Sequence, residues 1–539
     1  MCSPSYRLAA AITVPATGEF LVVRQLAPPS PPGDEEEYGR YVDSDLYDLP
    51  SAALGPLAGE CRAEVAIGGA DSIADQFDLS RFDVSAALDQ IFNQYGLPDG
   101  MRVEWKLLKY VEEAEFGPDA GVNTVFIIAS LESKLDSLQE SCKWISKDSA
   151  LALLSGVKPC SDRIGPYAYI GLLNSEVPSE WTPPPALRSQ EYPPGITLVP
   201  MKSKTLQPFR TTNLVVVRAA SEAGGSARSD IFASGDALLI DPGCCSQVHE
   251  ELADLVNSLP KKLLVLVTHH HHDHIEGLSV VQRCNTDAVL LTHENTMNRI
   301  GEGNWSSSCT LVTGGEKILI GDQELQVVFA PGHTDGHMGL VHVNTNALIV
   351  GDHCVGHGSA TLDSRAGGNM KDYFETTYKF LDLSPHVLIP MHGRVNLWPK
   401  HMLCGYLRNR RSREASILQS IDHGARTLYE IVSKTYHDVD RKLWIPASFN
   451  VRLHVAHLSS QHKLPKDFSL ENFKATCGVH FILRWAVAYV QSRSSPVILA
   501  ASVFAGGLVL SKESMASNHR FSLGHFQLRT HYYNFPELL

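Results

Sequence analysis

Residues 267–277 read VTHHHHDHIEG, with five histidines and two carboxylates in eleven positions. The stretch before them, KKLLVLVT, is apolar and β-branched and reads as a strand, so side chains alternate in direction as it runs into the histidines. His269 and His271 then project one way and His270 and His272 the other, while Asp273 and His274 open HIEGLSVVQRC, which reads as a helix. Imidazoles at i and i+2, followed by an adjacent carboxylate and imidazole, suit two cations held on one side of a loop. A solvated histidine tract is the alternative.

Four further residues of the same types stand where apolar strands end: Asp241 in DALLIDPG, His333 in FAPGHTDGH, Asp352 in ALIVGDH and His392 in VLIPMHG. An α/β fold gathers reactive groups at such strand-to-loop junctions. His337, four residues past His333, reads as a structural histidine rather than a leaving-group acid, and His270, His272, His353 and His357 are assigned no role.

The elements that must position these groups follow from the rest of the chain. Its 539 residues, 44% hydrophobic and 19% charged, exclude a disordered or fibrous protein and are enough for several domains with their own cores. Six prolines in PSEWTPPPALRSQEYPPG, residues 178–195, read as an extended linker. Downstream, NLVVVRAA, DALLIDPG, KKLLVLVT, DAVLLTHE, ELQVVFAPGH and ALIVGDH are short strands separated by turns and amphipathic stretches, the pattern of an α/β core. From about residue 404 the period becomes helical: Ile417, Leu418 and Ile421 share a face, Thr427 and Glu430 have capping-box spacing, and Val451, Val455 and Leu458 form another stripe.

Charge is unevenly spread. Residues 1–199 carry 14 basic and 29 acidic side chains, whereas residues 392–493 carry 16 and 7, a net of +9. The basic segment, including Arg408, Arg410, Arg411 and Arg413, fits contact with nucleic acid or anionic lipid, or a solvated helical face. Eleven scattered cysteines without a C-x-x-C pair suit a reducing compartment, and the first residues lack the features of a secretory or organelle leader, so the expected location is cytoplasmic. The uncharged stretch 496–510 is a candidate carboxy-terminal membrane anchor, although 15 residues fall short of the roughly 20 that a spanning helix needs.

The ordered series His269-x-His271-x-Asp273-His274, His333, Asp352, His392 resembles the signature of the metallo-β-lactamase superfamily. That resemblance implies an α/β fold, the αββα sandwich, over residues 196–403. It implies that His269, His271 and His333 hold one metal, that Asp273, His274 and His392 hold a second, that Asp352 bridges them, and that Asp241 orients ligands by hydrogen bonds. Asp273 and Asp352 are then the catalytic carboxylates. The cofactor expected is two Zn²⁺, with Mn²⁺ or Fe²⁺ as alternatives, sharing a water whose pKa falls towards ~7 and which attacks as a bridging hydroxide.

Within the superfamily, GDHCVGHGSATL, NMKDYFETTYKFL and RNRRSREASIL look like the beta-lactamase-like protein 2 branch, similar to a metal-dependent endoribonuclease acting on single-stranded RNA. Met391 stands where that branch usually has glycine, and Arg394 where it usually has proline. Three function classes follow: cleavage of single-stranded RNA, with no DNA expected as partner; hydrolysis of a small ester or thioester, as in glyoxalase II; or a non-enzymatic nucleotide-binding scaffold.

Two flanking modules complete the expectation. Residues 1–177 resemble a Nudix-like α+β domain, with FDVSAALDQIFNQYGL at the place of its helix but Gln90, Asn93 and Gln94 where glutamates would hold Mg²⁺, hence catalytically dead. Residues 404–477 read as a winged-helix-like helical module, and residues 478–539 as a tail.

Overall fold

The computed structural model describes residues 3–29, 35–57, 67–68, 77–97, 103–135, 138–175, 181–219, 229–301 and 303–493. They fold as two compact units, one formed within residues 1–368 and 372–406, the other within 369–371 and from 407 onward.

Two sheets of the first unit face each other. The seven-stranded sheet runs in chain order from Gln190–Glu191 through Ile196–Lys202, Thr211–Arg218, Ala237–Ile240, Leu263–Leu266 and Val289–Thr292 to Cys309–Leu311. Its last four strands are parallel, because a helix crosses over between successive strands. The six-stranded sheet joins Ala233–Gly235, Lys317–Ile320, Gln323–Phe329, Met338–His342, Ala347–Gly351 and Val387–Pro390.

Side-chain alternation explains the layering. Val215, Val217, Leu238, Ile240, Leu264 and Leu266 point into a core shared with Ile318, Ile320, Leu325, Val327, Leu340, Ile349 and Ile389 of the other sheet. Their neighbours Leu214, Val216, Leu239, Leu263 and Val265 point outward onto the helices His249–Asn257 and Leu278–Cys284, through Leu252, Leu255, Val256, Leu278 and Val281. Strands buried on both faces read as continuous apolar runs, which is why ALLI and LLVL show no alternation in sequence. The result is an αββα sandwich.

Residues 190–191, inside the proline-rich stretch expected to be a linker, pair with Thr197 and Leu198 and so extend the sheet instead. The amino-terminal part is sheet-rich, with nine strands centred on Ser5–Val14, which pairs in parallel with Val122–Ser130. Its helix Val84–Tyr95 is capped by Asp83, whose Oδ1 accepts the Ala86 N–H at 3.0 Å. On that helix Gln90 and Asn93 are exposed and the Gln94 amide donates to the Ser51 carbonyl.

The second unit is helical. Ile417, Ile421, Leu428, Ile431, Val432, Val451, Val455 and Leu458 form its core with Phe468, Phe473 and Phe481. The capping box is present, with the Glu430 N–H donating to Thr427 Oγ1 at 3.2 Å and the Thr427 N–H to Glu430 Oε2 at 3.1 Å. The arginines expected on a basic face are partly used inside the unit: Arg410 is buried, and Arg413 lies over the Tyr436 ring at 4.2 Å. The candidate anchor 496–510 lies outside the described residues; among those described, no helix is long and apolar enough to cross a membrane.

Candidate metal centre

His269, His271, His333, Asp352 and His392, from segments that follow strands, and Asp273 and His274, from the short helix His272–Ile275, meet at one edge of the sandwich. Close backbone approach makes this packing feasible. Gly243, in the turn after Asp241, sits against the Asp273 backbone so tightly that an added Cβ would lie 1.7 Å from its carbonyl oxygen. Gly351, before Asp352, has φ +57° and faces His337, where a Cβ would lie 2.3 Å from Nε2.

One half of the cluster consists of three imidazoles. His269 Nε2, His271 Nδ1 and His333 Nε2 lie 3.0 to 3.2 Å from one another. Their outer nitrogens fix the tautomers. His333 Nδ1 donates to the Thr361 carbonyl at 2.6 Å and His271 Nε2 to Asp363 Oδ2 at 3.2 Å. The Thr268 hydroxyl donates to Asp241 Oδ2, so its oxygen accepts from His269 Nδ1 at 3.0 Å. Each ring therefore turns a bare lone pair inward. Burial, first of all, pushes His269 well below its ordinary range and His333 down to about 3, so both rings are neutral. Three converging lone pairs repel unless a cation lies between them, and ligand bonds of about 2.0–2.1 Å in tetrahedral geometry need nitrogens only slightly further apart than these.

The other half mixes imidazoles and carboxylates. His274 donates Nδ1–H to Asp241 Oδ2 at 2.8 Å and His392 donates Nδ1–H to the Thr211 carbonyl at 2.9 Å, leaving both Nε2 atoms facing Asp273 and Asp352. His274 Nε2 is 3.5 Å from Asp352 Oδ2, and His392 Nε2 is 3.4 Å from both Asp273 Oδ2 and Asp352 Oδ1. Burial opposes charge here but the Asp352 carboxylate outweighs it, pushing His392 up to about 10 and His274 upward as well. Asp352 presents Oδ2 to His269, at 4.0 Å, and to His274, and Oδ1 to His392, so its carboxylate spans the two halves.

Two buried atoms in this half, His274 Nε2 and Asp352 Oδ1, have no hydrogen-bond partner. Orphaned polar atoms of that kind are costly, and a divalent cation satisfies both. The donor set of imidazoles plus carboxylates fits such a cation, so the residues present are chemically suited to a two-metal site.

Asp241 is buried, with Oδ1 accepting the Thr268 N–H at 2.7 Å and Oδ2 accepting the Thr268 hydroxyl and the His274 Nδ1–H. His337 accepts the Asp352 N–H at 3.0 Å and donates to the Ala330 carbonyl, so both nitrogens are committed to backbone. His272 is exposed and lies 3.1 Å from Glu276. Sequence reasoning missed Thr268, Asp363, the Thr361 and Thr211 carbonyls, and Asn213. The last donates to the Pro390 and Gly393 carbonyls on either side of His392. Only Asp363 has a residue type that sequence reading would flag, and it lies 92 positions from the ring it holds.

Fold and site together define a metal-dependent hydrolase. Comparison with known proteins agrees: residues 231–392 match the metallo-beta-lactamase superfamily model, and residues 427–467 match the beta-lactamase associated winged helix domain. Over 243 residues the chain is 28% identical to the beta-lactamase-like protein 2 homolog of Drosophila melanogaster, covering 42% of this chain and 80% of that protein. It is 25% identical over 211 residues to the Caenorhabditis elegans protein of the same name, covering 39% and 66%. A hydroxyacylglutathione hydrolase from Yersinia enterocolitica is 30% identical over 115 residues, covering 21% of this chain and 41% of that enzyme. Residues 231–392 thus carry a metallo-β-lactamase domain, and beta-lactamase-like protein 2 homologues are among the relatives it resembles.

Proposed function

We propose that the chain holds two Zn²⁺ and cleaves phosphodiester bonds of single-stranded RNA. The observation that carries the hydrolase reading is the inward convergence of lone pairs on either side of Asp352. His269, His271 and His333 would hold one cation, Asp273, His274 and His392 the other, with Asp352 between them. When bound, such a pair lowers the pKa of a shared water and neutralises charge developing on the attacked group.

The chain's own residues set up that chemistry by orientation. Asp241, Asp363 and two backbone carbonyls hold the imidazoles in one tautomer, which saves reorganisation as charge moves. No serine or cysteine nucleophile is required. With His337 committed to backbone, a leaving group has to take its proton from elsewhere.

RNA as substrate is supported by the net charge of +9 in residues 392–493 and by the exposure there of Lys434, Arg452, Lys463, Lys466 and Lys474. Their placement in the helical unit is the expected electrostatic footprint for a polyanion. The thioester reading is favoured by one observation, the likeness to hydroxyacylglutathione hydrolase. Purified protein incubated with single-stranded RNA, with and without chelator, separates the two. Cleavage that stops on chelation and returns with zinc supports the RNA reading. Absence of metal-dependent cleavage, with turnover of a thioester panel, selects the alternative.

A further inference from the structure

The loop that carries His392 is braced from two directions, and one of them is unexpected. On the sandwich side, Asn213 donates to the Pro390 and Gly393 carbonyls at 2.8 and 2.7 Å, and the Gly356 N–H donates to the His392 carbonyl at 2.8 Å. On the other side the contacts come from the segment between the amino-terminal strands Trp105–Val111 and Val122–Ser130. Arg394, two residues past His392, donates from Nε to Glu113 Oε1, and from a terminal nitrogen to Glu113 Oε2 at 2.9 Å and the Ala120 carbonyl at 3.0 Å. Thr211, whose carbonyl receives the His392 Nδ1–H, donates its hydroxyl to the Glu115 carbonyl at 3.0 Å.

The brace is itself stiff. Glu113 Oε2 also accepts the Val122 N–H at 2.6 Å, and the Glu113 N–H donates to Asn123 Oδ1 at 3.2 Å, tying the 113–121 segment to the start of the strand Val122–Ser130. The Glu113 side chain is 13% exposed and that of Arg394 33%, so the bidentate pair is shielded from water on one partner. A sandwich that held His392 by itself would not need a charged pair reaching 281 positions back along the chain.

We infer that the 113–121 segment of the amino-terminal part supplies positioning residues for the half of the metal centre that contains His392: Glu113 acting through Arg394, and the Glu115 carbonyl through Thr211. The inference rests on the two-metal reading. Among the described residues, the outer nitrogens of His269, His271 and His333 are held by Thr268, Asp363 and Thr361, so the effect is selective for one of two cations. Partners of this kind typically alter metal affinity by about 10–100-fold.

Cobalt titration of the metal-depleted full chain, read by its visible absorption, tests this. The unsubstituted protein should take up two equivalents. In Glu113→Ala one equivalent should weaken by about 10–100-fold while the other is unchanged, and Arg394→Ala should do the same. Asp43→Ala is the control: Asp43 accepts the Lys400 and His401 N–H groups at 3.0 and 3.1 Å, another contact of the amino-terminal part, and its loss should move neither equivalent. Two unchanged equivalents in both Glu113→Ala and Arg394→Ala, or equal weakening in Asp43→Ala, would overturn the inference and leave the two-metal reading standing. Failure of the unsubstituted chain to bind two equivalents would overturn both. Should Glu113→Ala not fold, the Arg394→Ala titration decides alone.

Discussion

The Asp241 carboxylate accepts the Nδ1–H of His274 at 2.8 Å with both groups fully buried, and the opposite nitrogen of that ring then faces Asp352 Oδ2 at 3.5 Å. The same carboxylate accepts the Thr268 hydroxyl that orients His269. One residue that need not touch metal thus sets the direction of a ligand in each half of the centre. Asp241→Asn keeps the shape but offers the wrong hydrogen pattern, and metal affinity should fall by about 10–100-fold. Competition with a calibrated chelator measures it; unchanged affinity would mean that the rings are held by packing alone.

The Asp352 carboxylate faces both halves, with Oδ2 towards His269 and His274 and Oδ1 towards His392. Asp352→Ala should lower kcat by more than about 100-fold with the far-ultraviolet circular dichroism spectrum preserved, because the loss is of a shared ligand and not of the core. Steady-state rates on the substrate that the unsubstituted protein turns over provide the check, and retained turnover would rule out a bridging role.

Gly243 allows the Asp241 turn to lie on the Asp273 carbonyl. A methyl group there would sit 1.7 Å from that oxygen, so Gly243→Ala has to displace the segment carrying Asp273 and His274. Stability should drop by about 1–3 kcal/mol, the usual range for overpacking, and metal uptake should fall with it. Denaturant unfolding of the two proteins side by side gives the first number, and elemental analysis the second.

His342 offers a pH test away from the centre. Burial pushes it from 6.5 down to about 4, and its ring is satisfied as the neutral form between Gln323 Oε1 at 3.0 Å and Thr345 Oγ1 at 2.7 Å. A base whose folded value is depressed binds its proton more readily unfolded. Its stabilising contribution is therefore complete above about pH 6.5 and is lost as pH falls towards 4. Between pH 6.5 and 5 the loss from this group should be on the order of 2 kcal/mol, and His342→Gln should flatten that part of the stability profile. An identical slope in the variant would show that other groups carry the dependence.

Much of the site was legible because its chemistry lies in residue types that are conspicuous at strand ends. The alternation argument separates His269 and His271 from His270 and His272, and in the structure His272 is an exposed neighbour of Glu276. The sandwich could be read for the same reason, since two-sided burial forces unbroken apolar runs such as LLVL. What stayed hidden depends on long-range contact: the Thr361 and Thr211 carbonyls have no residue signature, and Arg394, noted only for standing where proline is usual, meets Glu113 across 281 positions. Arg410 and Arg413 serve the interior of the helical unit, and sequence has no period that separates them from the exposed Lys463 or Lys466.

The most direct test of the central claim is the number of metal ions per chain after saturation with zinc and removal of excess, measured by elemental analysis. Two per chain is the predicted result, with His269→Ala and His392→Ala each reducing it towards one. A saturated ratio of one or zero in the unsubstituted protein would contradict the account.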